Sequence, residues 1–501
     1  MKILQYTILT AGLLSLGSCK KFLDVNDNPN SPVSENLTLS AKLPAALIST
    51  VNQETGQINQ LTALWGGYWG TTSEGTNLFF KEKTYNGVAI RGTRDGIQIW
   101  EGSYNTLLYY ELIKKQAIQE NALYYSGIAK IMQGWHFMRL VDLYNNVPFE
   151  EALQGTQFIT PTYESGKSVY EKSIQLITDG IQDIKAASPA GTPAQADVIF
   201  AGNKTLWTKF ANTIKLRGLL RQSEANNEAY IKTEIERIVQ EGSGFLNAGE
   251  SALARPGYLN TNGKMNPFWE SNYRNAGGQT TNHLSIRPTV YVINKYESLN
   301  DPRLDKIYVP VKGAYKGVLF GNPQVEDQYN ASNTSAFRGP VENDNKPAGL
   351  FKSFDQPSVL LSSFESLFLQ AEAAQRGWIG GSSQTYYQAA IQESMKYLTV
   401  TQPEINTYLQ QTSVTLTSAA NPVQRIIEQK WLALNSISSM EAWSDFRRTG
   451  FPDIPNSLQA PSSDARPLRL MYPESERQTN GAQADKQGND DIITAKVWWN
   501  P

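Results

Sequence analysis

Glu441 and Asp445 stand four residues apart in a segment that also holds Arg447 and Arg448. On a helix that spacing puts both carboxylates on one face. Two carboxylates roughly 5–10 Å apart are what glycosidic hydrolysis uses, one as acid and one as nucleophile or base. As like charges the same pair is costly unless cations neutralise it. Arg447 and Arg448 are placed to do so, so the pair reads as a structural ion network, with hydrolysis the alternative. Other chemistry is thinly supplied. His136 and His283 are the two histidines, and His136 lies between Trp135 and Phe137, as a buried, satisfied imidazole would. No His/Cys spacing suits zinc, and no Gly-x-Ser-x-Gly elbow occurs. Asp24, Asn26, Asn28 and Glu35 have the spacing of calcium ligands, but Pro29 stands where such a loop turns on glycine. No cofactor, metal or catalytic residue is expected.

The one cysteine among 501 residues, Cys19, closes the run Leu16-Gly17-Ser18-Cys19. Lys2, an apolar stretch and small residues before the cut make residues 1–18 a secretory leader, too short to span a bilayer. A cysteine at the cut predicts a bacterial lipoprotein, with acyl chains on Cys19 supplying the membrane anchor. Residues 19–32, rich in Asp, Asn and Pro, read as its tether. No further apolar run is long enough to cross a membrane. A lone cysteine allows no intrachain disulfide, so stability rests on a core. The chain carries 45 basic and 47 acidic residues, a balance of −2, which argues against a nucleic-acid partner.

The aromatic residues make the positive case for binding. There are 11 Trp, 24 Tyr and 18 Phe, so the chain has many flat apolar faces to place. Trp100, Trp135, Trp207, Trp378, Trp431 and Trp443 fall in or beside helical stripes and are expected in the core. Trp65, Tyr68 and Trp69 cluster around Gly66, Gly67 and Gly70, with Asn77 and Arg91 further along the same connection. Phe268, Trp269, Tyr273 and Arg274 form a second cluster in a polar loop. Rings stack on the apolar faces of sugars, and loops on a rigid scaffold commonly carry binding sites. Trp65, Tyr68, Trp69, Asn77, Arg91, Trp269, Tyr273 and Arg274 are therefore the candidate ligand residues. The alternative is that these rings pin their own loops to the core. Trp498 and Trp499 are expected to anchor the C-terminus.

These residues must be positioned by helices, because helical periodicity dominates the chain. Helices are expected over 43–64, 97–119, 124–144, 168–187, 204–221, 227–241, 363–376, 384–398, 422–436 and 440–448. The helix over 124–144 is apolar on nearly every side and should be deeply buried. Residues 242–359, rich in Gly, Asn and Pro, read as long loops with a few short strands, 306–311 among them. Gly377 separates the stripe Phe364, Leu367, Phe368, Ala371 from the stripe Tyr387, Ala390, Ile391, Met395. Helix, tight turn, helix, with alanines at close contacts, is the pattern of a tetratricopeptide pair.

Several motifs follow one another along the chain: Cys19-Lys20-Lys21-Phe22-Leu23-Asp24-Val25-Asn26, then Asp142-Leu143-Tyr144-Asn145-Asn146-Val147-Pro148-Phe149, and the helix end from Leu369 to Trp378. Gln429-Lys430-Trp431, the run from Glu441 to Pro452 and Pro467-Leu468-Arg469-Leu470-Met471-Tyr472-Pro473 complete the order. In this order they resemble the SusD/RagB family. The glycine usual between Trp431 and Glu441 is missing. The resemblance implies a mainly α fold, tetratricopeptide-like helix pairs scaffolding an irregular, loop-rich, ligand-binding half, with 33–501 as one domain. It implies a lipid-anchored outer-membrane protein at the cell surface that captures nutrients, most often oligosaccharides, for a SusC-like TonB-dependent transporter and does no chemistry. A surface glycan hydrolase and a protein-binding tetratricopeptide-type scaffold are the other two functional classes open to the sequence.

Overall fold

The computed structural model describes residues 37–340 and 349–501. The leader, Cys19, the tether and the 24–35 segment lie outside the described residues. The described chain opens with α1 (Leu39–Gln53), capped by Thr38, whose hydroxyl accepts from the Ala41 N–H. A π-helical turn, Glu54–Ile58, leads into α2 (Asn59–Trp65). Gly56 leaves helical geometry there (φ −94°, ψ −116°), so the single helix expected over 43–64 is three pieces. The turn brings the Glu54 carboxylate to Trp135 Nε1 at 3.0 Å and to Arg139 Nε at 2.9 Å.

After a short strand, β1 (Trp69–Thr71), and two single turns, α3 (Phe80–Lys83) and α4 (Gly87–Ile90), come the long helices. They are α5 (Ile99–Gln119), α6 (Leu123–Tyr144), α7 (Gly166–Ala186), α8 (Lys204–Arg221) and α9 (Glu228–Glu241). α6 is buried along almost its whole length, as its all-round apolar pattern requires. Its glycines explain how closely α7 packs on it. A Cβ on Gly127 would lie 2.6 Å from Gly180 O, and one on Gly180 would lie 2.7 Å from Gly127 O. α7 starts two residues earlier than expected, because the Ser165 hydroxyl accepts from the Ser168 N–H and caps the first turn.

The loop-rich stretch holds β2 (Ala252–Ala254), α10 (Pro267–Asn272), β3 (Arg274–Asn275), β4 (Gly278–Gln279), α11 (Thr281–Ser285), β5 (Ile286–Pro288), α12 (Val290–Ser298) and α13 (Arg303–Ile307). The strand expected over 306–311 is instead the end of α13 followed by isolated bridges at Tyr308 and Val311. β6 (Ser358–Leu361) closes the stretch and pairs antiparallel with β2. β1 pairs antiparallel with β5, Trp69 opposite Pro288, so a loop near residue 70 is stitched to one near residue 287. β3 and β4 form a hairpin.

Helices then return as α14 (Ser363–Gln375) and α15 (Ser383–Tyr397), the helix pair read from the stripes. α16 (Gln402–Leu409) was not expected. Its Thr401–Glu404 capping box marks its start, a signal present in the sequence. α17 (Pro422–Leu434) and α18 (Ser439–Thr449) follow, then the single turns α19 (Glu474–Thr479) and α20 (Gly481–Asp485). One connected hydrophobic core runs from Leu39 to Trp499. Trp499 is fully buried and donates to Asp142 Oδ1 at 2.9 Å, and Trp498 N–H donates to Asn145 Oδ1 at 2.8 Å, so the C-terminus is anchored as expected. Among the described residues, no helix is long and apolar enough to cross a membrane.

Candidate functional site

The Glu441–Asp445 pair lies on α18, inside the protein, at 1% and 4% exposure. Glu441 accepts from Arg139 at 2.8 Å, from Arg221 at 2.5 Å and lies 3.2 Å from Arg217. Asp445 meets Lys430 at 2.9 Å and Arg448 at 3.0 Å. Glu54, Asp142, Glu365 and Glu372 extend the network across α6, α8, α14 and α17. Burial opposes the charge on Glu441, but the surrounding guanidiniums outweigh it and hold its carboxyl well below the usual range. An acid of that kind cannot deliver a proton near neutral pH, and no substrate reaches it. The structural reading of the pair therefore holds, with one correction. Arg448 neutralises Asp445 as expected, whereas Arg447 lies between rings, 3.5 Å from the Trp443 centroid and 4.7 Å from that of Trp499. The cations on Glu441 come from helices α6 and α8, over 200 residues away in sequence.

His136 is buried, and its Nε2 lies 2.8 Å from the Thr50 hydroxyl. Burial, then the Arg139 charge, lowers it to about 3. His283 is lowered by burial and by Arg287 and Arg274, to about 4. As pH falls, the unfolded chain, with imidazoles titrating near ~6.5, takes up these protons before the folded one. Stability from this source is full above that pH and declines below it by about 1.4 kcal/mol per pH unit per histidine. Thermal melts at pH 7 and pH 5 should differ accordingly, and His136→Gln should flatten the dependence. An equal slope in the variant would count against a buried neutral His136. Among the described residues, no group of His, Cys, Asp and Glu could hold a metal.

The candidate rings are placed together, but not on the surface. Trp65 is 5% exposed, Tyr68 and Trp69 are 0% exposed. Trp65 packs on Trp443 at 5.3 Å and donates to Glu82 O at 3.0 Å. Tyr68 stacks on Trp431 at 4.7 Å, its hydroxyl donating to Trp431 O at 2.6 Å. Trp69 donates to Ser436 Oγ at 2.8 Å and meets Phe337 edge-on at 5.9 Å. Trp269 and Tyr273 are also buried, and Phe351 stacks on Tyr273 at 5.3 Å and contacts Phe337 at 5.5 Å. Phe337 and Phe351 thus join the two sequence clusters into one aromatic core. The expectation of open stacking faces on Trp65, Tyr68, Trp69, Trp269 and Tyr273 is corrected. Each of Trp65, Tyr68 and Trp69 has its polar atom satisfied inside, so burying the ring leaves nothing unpaired. Arg91 is a strut, 3.6 Å from Glu474. Asn77 is exposed, and so is Arg274, on the β3–β4 hairpin.

What these rings support is a groove. The turn after α2 places Gly67 at φ +82°, where a Cβ would also lie 2.6 Å from Ile454. Thr289 donates to Gly67 O at 2.6 Å and caps α12 by accepting from Val292 N–H. Gly67, Tyr291, Asn294, Leu319 and Pro455 line a groove of about 190 Å³. Tyr291 is half-buried and packs edge-on against Trp431 at 5.5 Å, the same indole that Tyr68 stacks on from within. Its hydroxyl is shielded from solvent and makes no hydrogen bond within the protein. Burial, with Glu428 and Asp453 nearby, raises its pKa, so it remains a neutral donor. Leu319 is exposed at the rim, and Phe80, 54% exposed, is the open ring of the residue 66–97 connection. Ser457, which donates to Lys83 O at 2.6 Å, ties that connection to the Pro455 loop. Sequence reasoning passed over Tyr291 and Phe80. Phe80 was findable as a Phe in a Gly-rich connection, but Tyr291 lies in the stretch read as loops, where the helix Val290–Ser298 that carries it was not expected.

Solved structures share this fold. A chitin-binding SusD homologue of Flavobacterium johnsoniae matches with a TM-score of 0.74 at 22% identity, over 91% of this chain and 98% of its own. A SusD homologue of Bacteroides fragilis matches with a TM-score of 0.75 at 20% identity, over 93% and 100%. One from Bacteroides thetaiotaomicron gives 0.73 at 21% identity, over 93% and 99%. No curated protein matches the chain. The helix pairs, the loop-rich half stitched by β1 and β5, and the ordered C-terminal motifs agree with a sequence match over residues 29–473, by which the chain belongs to the SusD-like family, described as starch-binding and associating with the outer membrane.

Proposed function

We propose that this protein is a non-catalytic receptor that captures an oligosaccharide at the outer-membrane surface and passes it to a SusC-like TonB-dependent transporter. The observation that carries the reading is the groove beside Gly67, lined by half-buried Tyr291 together with Leu319 and Pro455. The apolar C–H face of a sugar packs on such a ring and aliphatic wall. The family description and the chitin-binding neighbour support a glycan as the ligand class. Asn77 and Arg274 stay in the proposal as exposed polar groups of the same loop-rich half. The sealed Glu441–Asp445 pair supports capture rather than hydrolysis. Calorimetry with maltohexaose and chitohexaose tests this. Tyr291→Ala should weaken binding by about 1–2 kcal/mol without lowering the melting temperature much. Equal affinity in wild type and variant would place the site elsewhere, and new reducing ends would indicate hydrolysis.

Anchoring belongs to the same proposal, with 1–18 as leader, 19–32 as lipidated tether and 33–501 as the binding body. Acyl chains on Cys19 supply the membrane affinity. Cys19→Ser should move the protein from the outer-membrane fraction to the soluble one. A variant still firmly in the outer membrane, with no acylation on the wild type, would end the lipoprotein reading.

A further inference from the structure

We infer that the cleft beside Trp378 is a second carbohydrate-binding site, on the helical side of the molecule, taking the face of a neutral hexose ring. The inference rests on the glycan-receptor reading above but concerns other residues. The cleft measures about 590 Å³ and opens between α9 and the end of α14. That volume lies within the range of ligand sites. Its apolar floor is Ile231 and Ile235.

Trp378 stands at its edge, half-buried, with its backbone set by a tight turn and its ring beside Arg376. Gly377 takes φ +72°, where a side chain would be strained, and so turns the chain out of α14. Trp378 N–H donates to Ala373 O at 2.9 Å, closing the turn. The Arg376 guanidinium lies 5.7 Å from the indole centroid, itself held by Glu372 at 3.0 Å and Glu224 at 2.9 Å. An aromatic ring pre-organised in this way loses little entropy on stacking.

The charges of α9 narrow the ligand. Glu228, Lys232 and Glu236 line the cleft at i, i+4 and i+8, the spacing at which such residues pair along a helix. None is in an ion pair with any described residue. An anionic ligand would meet two carboxylates, and a cationic one would meet Lys232 and Arg376. A neutral polyol uses both signs, donating to the carboxylates and accepting from the ammonium, while its C–H face covers the indole. No comparable mixture serves an apolar peptide.

Oxidation of tryptophan by N-bromosuccinimide, read by peptide mass mapping, tests this on the folded protein. Maltohexaose or chitohexaose should slow oxidation of Trp378 by about fivefold or more, as burying a stacked ring requires. The protection should persist in Tyr291→Ala and fall in Glu236→Gln. Calorimetry of Trp378→Phe should retain, and of Trp378→Ala should lose, a binding phase that Tyr291→Ala leaves intact. If the hexasaccharides bind but leave Trp378 equally reactive, the second site is refuted while the receptor reading stands. Protection that disappears in Tyr291→Ala also refutes it, because Trp378 is then shielded through the loop groove. If neither sugar binds by calorimetry, both readings fall together.

Discussion

Replacing Glu441 by alanine should destabilise the protein by about 3–5 kcal/mol, the loss found when one partner of a buried ion pair is removed. The carboxylate is 1% exposed and faces Arg139, Arg217 and Arg221. Without it three guanidiniums keep their charge in the interior, since arginine does not neutralise readily. Arg139 retains Glu54, Arg217 retains Glu365, and Arg221 retains Asp142 and Asp445, which keeps the loss from growing threefold. Glu441→Gln retains the shape and should cost less. The effect is also tied to pH. The folded carboxyl is held below its ordinary value, so its contribution is full above the unfolded pKa of about 4.3 and fades as pH falls through the folded value. Urea midpoints at pH 7 decide the point. A midpoint unchanged in Glu441→Ala would mean that water reaches the network.

Trp135→Ala should cost a comparable amount, about 3–5 kcal/mol, as large aromatic truncations in cores do. Trp135 is 1% exposed and stacks on Phe210 at 5.8 Å. Arg217 lies 4.0 Å from the ring centroid, and the indole N–H donates to Glu54 at 3.0 Å. The ring therefore joins the aromatic core to the ion network, and truncating it opens a cavity beside buried charges. The two variants share Arg217, Arg139 and Glu54, so their effects should not add. The double variant, compared with both singles by urea unfolding, measures the coupling. A Trp135→Ala midpoint matching wild type would contradict the all-round burial of α6.

The long helices were legible because each carries its own period. α8 runs over the residues its stripe predicted, and α6, α14 and α15 differ from expectation by one residue or so at either end. Boundaries slipped where a cap or a backbone irregularity decided them, as at Ser165 and Gly56. The ion network was legible only in part. Its acids and Arg448 lie on one helix, but Arg139, Arg217 and Arg221 arrive from others. The aromatic loops were misread for the same reason. Whether Tyr68 is open or buried depends on Trp431, 363 residues further along, and no local pattern reports that contact.

Local order therefore settled what is written at short range: the helical periods, the cysteine motif, the tetratricopeptide-like turn at Gly377 and the motifs that mark the family. Long-range packing settled exposure. It turned the glycine-flanked rings inward onto α17 and α18, left Tyr291 half-buried along a groove and Phe80 exposed, and surrounded Glu441 with cations from distant helices. A period of 3.6 residues is a property of one segment, whereas burial is a relation between segments, and its energy scales with area that only the assembled fold removes from water.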